Sequence, residues 1–566
     1  MRRIAKISFL VLSTILLTPL FGQQFANFAT AQMAQEELEK RPLEHADYDR
    51  WNTLTGQQLS NDGKWILYSF RSGKVDAENV VKIRRNGSKK EYSIARAGGP
   101  RFTFDSRFVI YRVMPDRAKV KALQKAKAKP EQMPSPVLEV LELETGDKFS
   151  ADRVSTFKIP REDSGWVAYQ FSKTSEPNTV KSGSSDVVET YEVTPEGLRR
   201  PEKKLKLKKR ESEEKKQEEK EKSKKAKPAT SKESKEKPNK SKEPKSKVEE
   251  VKKTKSTGTT LVLRNLNTGL QQTYPDVVRY WFSKDGSRLA FVASVESDGK
   301  KKATDKENSE EPTDGVYVVE LDDDLELHQI AGGRGEYKNL AFSDDGTQLA
   351  FLTNKDDYKV KTSAWSLYHW KVRQKEAKKI ADEKSEGVPN EWWVSPNATA
   401  QFSEDGKRLF FDTAPIPEAV AKERKHTALK AAGKKVPDED EKPKAKLDLW
   451  HWQDPQLQPQ QLLQAARERG RSYRAVFNIR AKKIVQLATK EIPNVRIDYR
   501  SDSNVIAAAS NMPYRKMLSW DVPGFQDNYL INLDTGKAET LIEKTKSTGS
   551  ISPEGCLLYT SPSPRD

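Results

Sequence analysis

The chain has 566 residues, a third of them charged, and a formal net charge of +18, which is enough length for more than one domain. The charge is not evidence for a nucleic-acid partner. The tract 201–255 alone holds 23 Lys/Arg against 12 Asp/Glu, and Arg2, Arg3 and Lys6 add three more, so about +4 remains for everything else. One cysteine, Cys556, excludes a disulfide framework and a cysteine-based zinc site.

In chain order, residues 1–31 read as an export signal. MRRIAK is a basic start, 7–21 an apolar run, and Ala29-Thr30-Ala31 a small-x-small cleavage site. Pro19, Gly22 and Gln23-Gln24 cut the apolar run short of the roughly 20 residues a spanning helix needs. The expectation is a cut after Ala31, no stable membrane anchor, and a mature protein that is periplasmic or secreted.

From residue 32 to 555 the organising unit is one repeated stretch. FSKDGSRLAFVAS (282–294) recurs as FSDDGTQLAFLTN (342–354) and FSEDGKRLFFDTA (402–414), at a step of 60 residues both times. Asp-Gly is a hairpin signal, because Gly takes a positive φ at low steric cost. The run after it is apolar on both alternating faces, as in a strand buried on both sides. Earlier copies are LSNDGKWILYSF (59–70), FTFDSRFVIYRV (102–113) and PREDSGWVAYQF (160–171). A degenerate seventh is YRSDSNVIAAAS (499–510), and SISPEG (550–555) begins an eighth. Alternating stretches between copies, such as VLEVLELETGDKF (137–149) and YLINLDTGKAETL (529–541), supply the outer strands. Two strand pairs per period predict four-stranded blades and an all-β fold, an eight-bladed β-propeller with its last blade incomplete.

Several segments interrupt this pattern. The Ala/Lys-rich 116–129 and PEAVAKERKHTALKAA (417–432) predict short exposed helices. The Lys/Glu tract 199–256 holds almost no apolar residue and predicts a disordered low-complexity insertion within the propeller. It has no aromatic residue on which a base could stack, so no nucleic-acid partner is expected. The last eleven residues, CLLYTSPSPRD (556–566), match the in-frame translation of a sequencing adapter, and we expect them to be an artefact.

Catalytic signatures are absent from the sequence. There is no G-x-S-x-G, no phosphate-binding Gly-rich loop and no H-E-x-x-H. The five histidines are scattered, and His369 and His451, each beside tryptophans in expected strands, read as packed rather than catalytic. The Asp-Gly pairs offer single acids at long intervals, too few oxygens for calcium. Trp392-Trp393 is an aromatic pair suited to a groove or to the core. No catalytic, metal-binding or cofactor-binding residue is assigned, and no cofactor is expected.

Three stretches carry a resemblance: RPLEHADYDRWNTLTGQQLSNDGKWILYSF (41–70), the FS-x-DG-x-x-L-x-F series, and LDLWHWQDPQLQPQQ (447–461), read as a blade strand running into a Gln-rich helix. Together they resemble the N-terminal part of exported bacterial serine peptidases of the prolyl oligopeptidase family, the group with dipeptidyl and acylaminoacyl peptidase types. The likeness spans about 41–555. It implies a propeller that gates access of short peptides to an α/β-hydrolase domain carrying a Ser-Asp-His triad. This chain departs from that pattern, because it contains no position matching the nucleophile motif, so no triad residue is carried over and the chain itself is expected to be inactive. Glu249-Glu250 lies in the low-complexity tract and is no candidate for anchoring a substrate amino terminus. The reading from another class is a stand-alone periplasmic propeller that binds a protein, peptide or glycan.

Overall fold

Each apolar run after an Asp-Gly turn becomes an inner strand of an antiparallel blade, next to the blade's innermost strand. The computed structural model describes most of residues 42–559. Outside the described residues lie 1–41, 174–191, 200–255, 296–313, 432–448 and 560–566, with positions 50, 74–77, 130–131, 164, 195–196, 323, 359, 361, 501–502 and 548. The expected signal peptide, almost all of the Lys/Glu tract and most of the adapter-like tail therefore fall outside them.

The first blade is β1 (Asn52–Leu59), β2 (Trp65–Ser72), β3 (Val80–Arg85) and β4 (Glu91–Ala95), entered through a short helix, α1 (His45–Tyr48). The second is β5 (Ala97–Phe102), β6 (Phe108–Val113), β7 (Val137–Glu142) and β8 (Lys148–Ala151), with α2 (Arg117–Lys125) inserted after β6. The third opens with β9 (Val154–Lys158) and β10 (Trp166–Phe171). A separate hairpin, β11 (Glu192–Thr194) and β12 (Gly197–Arg199), precedes β13 (Thr259–Asn265).

The long β14 (Gln271–Phe282) then serves two blades. Its first half pairs with β13, and from Val277 onward it pairs with β15 (Arg288–Ala293). Asp276, at φ 55°, marks the break between the halves, so the outermost strand of blade 3 runs straight into the innermost strand of blade 4. Blade 4 ends with β16 (Gly315–Glu320) and β17 (Leu327–Gly332).

Blade 5 is β18 (Tyr337–Phe342), β19 (Gln348–Thr353), β20 (Ser366–Lys371) and β21 (Lys378–Ala381). In blade 6 the inner strand is split into β22 (Trp392–Val394) and β23 (Gln401–Phe402). Both pair with β24 (Arg408–Pro415), followed by α3 (Glu418–Ala431), α4 (Gln458–Arg469), β25 (Tyr473–Asn478) and β26 (Lys483–Gln486). Blade 7 is β27 (Asn494–Arg496), β28 (Val505–Ser510), β29 (Gln526–Asn532) and β30 (Ala538–Thr545). A last hairpin, β31 (Ser550–Ile551) and β32 (Leu558–Tyr559), begins the next unit.

The core lies between blades, because each sheet has two apolar faces and neighbouring sheets cover them. Trp65, Leu67 and Ile83 of blade 1 pack on Val109 and Leu141 of blade 2. Ile110 and Val140 of blade 2 pack on Val167 and Tyr169 of blade 3, and Ala168 and Leu263 of blade 3 on Leu289 and Phe291 of blade 4. Val316 and Val318 of blade 4 meet Leu349 and Phe351 of blade 5, Leu352 and Leu367 meet Leu409 and Phe411 of blade 6, and Phe410 and Val476 meet Ile506 and Ile531 of blade 7. This face-to-face succession of antiparallel four-stranded sheets is the β-propeller arrangement. Among the described residues no core cluster joins the first blade to the last. The outward face of β2 accordingly stays open, with Ile66 36% exposed.

The helices at 117–125 and 418–431 fall where composition places them. One expectation is corrected. Residues 449–456 around Trp450-His451-Trp452 form turns and irregular chain, not a blade strand, and α4 follows as expected. Their alternation was misleading because the flanking aromatic residues are not covered by a neighbouring sheet, and Trp452 is 70% exposed.

Candidate functional site: the inner-strand cavity

The repeated motif builds the turns that frame the site. In blade 6 the Ser403 hydroxyl donates to Asp405 Oδ1 at 2.6 Å and accepts from the Arg408 backbone N–H at 3.0 Å, while Asp405 accepts from the Lys407 N–H at 3.0 Å. Gly406 then turns the chain at φ +64°. The same bonds recur at Ser60 and Asp62, at Thr103 and Asp105, and at Ser343 and Asp345. Where Asp-Ser replaces Asp-Gly, Ser106 takes the turn at φ +62°. The (Ser/Thr)-x-Asp-(Gly/Ser) sequence is thus a self-contained clamp, its acid occupied by the backbone. Burial alone would raise the Asp405 pKa, but the Ser403 and Lys407 hydrogen bonds outweigh it and hold the pKa at about 2.

These turns are also stitched across blades. Asn61 Nδ2 donates to Phe104 O at 2.9 Å, and the Asp62 N–H to Ser106 Oγ at 3.2 Å. The Glu162 N–H donates to Lys284 O at 3.0 Å, and the Lys284 ammonium bridges Glu162 at 3.2 Å and Asp344 at 2.9 Å, tying blades 3, 4 and 5. Gln348 Nε2 donates to Gly406 O at 2.9 Å, linking blades 5 and 6.

Where the innermost strands of blades 1 to 5 end, they surround a cavity of about 880 Å³. Its wall carries aromatic side chains, Phe104, Phe157 and Trp281 among them, and a set of cations, Arg101, Lys158, Arg161 and Lys284. Among the described residues Asp344 is the one acid on that wall, and Lys284 already holds it. Lys158 donates to Tyr280 O and lies 4.6 Å above the Trp281 ring and 5.1 Å above that of Tyr280. Burial, with the Arg279 charge beside it, lowers the Lys158 pKa to about 8. Among the described residues neither Arg101 nor Arg161 has an ion-pair partner. The cavity is therefore electropositive as well as aromatic.

Sequence reasoning missed these residues because they lie on three blades and share no motif among themselves. A positional signal was available: Arg101 and Trp281 each directly precede the motif aromatic, and Lys158 and Arg161 flank Pro160, which replaces it in the third copy.

Of the other candidates, His369 and the Trp392-Trp393 pair resolve into packing. His369 is buried in the seam between blades 5 and 6, its Nε2 2.9 Å from Gln348 Oε1. Burial, reinforced by Lys371, lowers its pKa to about 4. His451, expected to pack beside tryptophan in a strand, is instead exposed in irregular chain away from the cavity wall, because no neighbouring sheet covers that segment. Trp393 is buried on β22 beneath the Arg424 guanidinium at 5.2 Å, and Trp392 packs on Tyr473 at 4.9 Å. Among the described residues no cluster of His, Cys, Asp and Glu is arranged to hold a metal ion, and no helix is long and apolar enough to cross a membrane.

No protein-family model and no curated protein matches the chain. Among solved structures it is similar to the β-propeller domain of the trilobed protease from Pyrococcus furiosus, at 9% identity and a TM-score of 0.30, over 88% of this chain and 99% of that one. It is also similar to the acylaminoacyl peptidase of Pyrococcus horikoshii, at 9% identity and a TM-score of 0.29, over 88% and 53%. A third is a prolyl endopeptidase, at 10% identity and a TM-score of 0.31, over 96% and 54%. The chain spans about half the length of the latter two. These superpositions are loose, and the blade assignment rests on the strand pairing and inter-blade cores described above.

Proposed function

We propose that this chain is the propeller portion of an exported serine peptidase of the prolyl oligopeptidase type that hydrolyses short peptides. The inner-strand cavity is the passage a peptide enters, and the observation that supports this is its position, where the inner strands of five successive blades end around one aromatic space. In this reading the propeller binds and sizes the substrate. The acyl-enzyme chemistry belongs to an α/β-hydrolase domain with a Ser nucleophile, a His base and an Asp orienter. Export through residues 1–31 would place the mature protein in the periplasm or outside the cell.

Two measurements test this. The gene is sequenced past the codon for Gly555, and the uninterrupted gene product and the present chain are treated with a fluorophosphonate probe. The reading expects an open frame containing G-x-S-x-G, with labelling of the longer product alone. A stop codon soon after Gly555 would leave a stand-alone binding propeller and overturn the peptidase reading.

A further inference from the structure

We propose that the inner-strand cavity selects acidic peptides. The inference rests on the cavity's being a peptide passage and adds the chemistry of what passes. Among the described residues four cations line the wall, and the one wall acid is consumed by Lys284, which also holds Glu162. Arg101 of blade 2 and Arg161 of blade 3 are exposed to the cavity with no carboxylate partner among the described residues. Lys158, half-buried beside them, donates to a carbonyl, lies over two ring faces and has the Arg279 charge near it, with no carboxylate partner among the described residues.

Among the described residues no carboxylate pairs with Arg101, Lys158 or Arg161, so the wall carries a positive excess, and a concave, partly desolvated space strengthens the field of those charges. An anion entering it gains ion pairs, whereas a cation meets like charge at several points. The cations come from successive blades rather than from one loop, and no backbone nest or helix N-terminus gathers them on a single phosphate. That arrangement suits carboxylates spaced along an extended chain. The aromatic residues between them, Phe104, Phe157 and Trp281, give the peptide's apolar side chains a surface to cover. A cavity of about 880 Å³ falls within the size range of ligand-binding pockets.

The test uses the full chain and three fluorescein-labelled peptides of equal length, rich in Glu, in Lys or in Gly-Ser, with binding read by anisotropy at low and high salt. Three partly exposed cations at ordinary ion-pair strength predict about tenfold tighter binding of the Glu peptide than of the Gly-Ser peptide. High salt should erase that margin. In the double variant Arg101→Glu/Arg161→Glu the order should reverse toward the Lys peptide, while Lys89→Glu/Arg480→Glu, in exposed turns away from the cavity, should keep the wild-type order. Circular dichroism on each variant confirms that it is folded. Equal binding of all three peptides, or an order unchanged in the cavity variant, would overturn the charge selection alone. Failure of every peptide to bind would overturn the passage itself. A single-stranded oligonucleotide that outcompetes the Glu peptide would overturn the assignment to peptides.

Discussion

Ser403, Asp405 and Gly406 show how little of the repeated motif is available for chemistry. The hydroxyl and carboxylate are spent on the turn's own N–H groups, and the glycine supplies a positive φ. Removing the buried member of a clamp should therefore be costly: Ser343→Ala leaves the Gln348 N–H and Asp345 without their hydroxyl and should destabilise by about 1–3 kcal/mol in denaturant unfolding. His369 provides a pH test. Its folded pKa, about 4, lies below the ordinary value of 6.5. The unfolded chain thus binds more protons between those values, and stability should fall as pH drops from about 6.5 to 4. Melting temperatures measured across that window should show the loss, and His369→Gln should flatten it. An unchanged slope in that variant would mean that other groups carry it.

At the scale of the strand, the second strands share one sequence pattern but not one environment. Residues of β19 are buried along its whole length, because blades 4 and 6 cover both faces. In β2, by contrast, only the side facing blade 2 is covered: Leu67 is fully buried and its neighbour Ile66 is 36% exposed. Leu67→Ala should cost about 2–5 kcal/mol by leaving a cavity, whereas Ile66→Thr should change unfolding free energy by under about 0.5 kcal/mol. A large effect of Ile66→Thr would show that this face is covered in solution. The connection β14 makes between blades 3 and 4 has the same origin in covering faces, since one continuous strand can serve two sheets when a single left-handed residue, Asp276, redirects it.

For the whole molecule the consequential property is the uneven distribution of charge. The formal +18 is largely a feature of one low-complexity tract and the N-terminus, while the small positive excess on the cavity wall is the part placed where a ligand would feel it. Lys158 makes that wall pH-sensitive. Arg279 is its cationic neighbour, and Tyr280 and Trp281 present ring faces. As pH rises through about 8 the Lys158 ammonium loses its proton, so affinity for the Glu peptide should decline between about pH 7 and 9 in wild type. The decline should be absent in Lys158→Met. Anisotropy titrations at fixed ionic strength distinguish the two.

The order of strands and the turns between them were legible in the sequence, because the information is local: a short apolar run on both strand faces and a clamp closed within six residues. FSKDGSRLAFVAS specifies its hairpin wherever it is placed. The splitting of β22 from β23, the sharing of β14 and the irregular path of 449–456 were not legible, since each depends on which faces a neighbouring sheet covers. The cavity belongs to the same class. Arg101, Lys158, Arg161 and Trp281 are unremarkable in three separate stretches of sequence. They become one electropositive, aromatic wall only when inter-blade packing brings the ends of the inner strands together, and pairing through Lys284 decides which of the charges remain free.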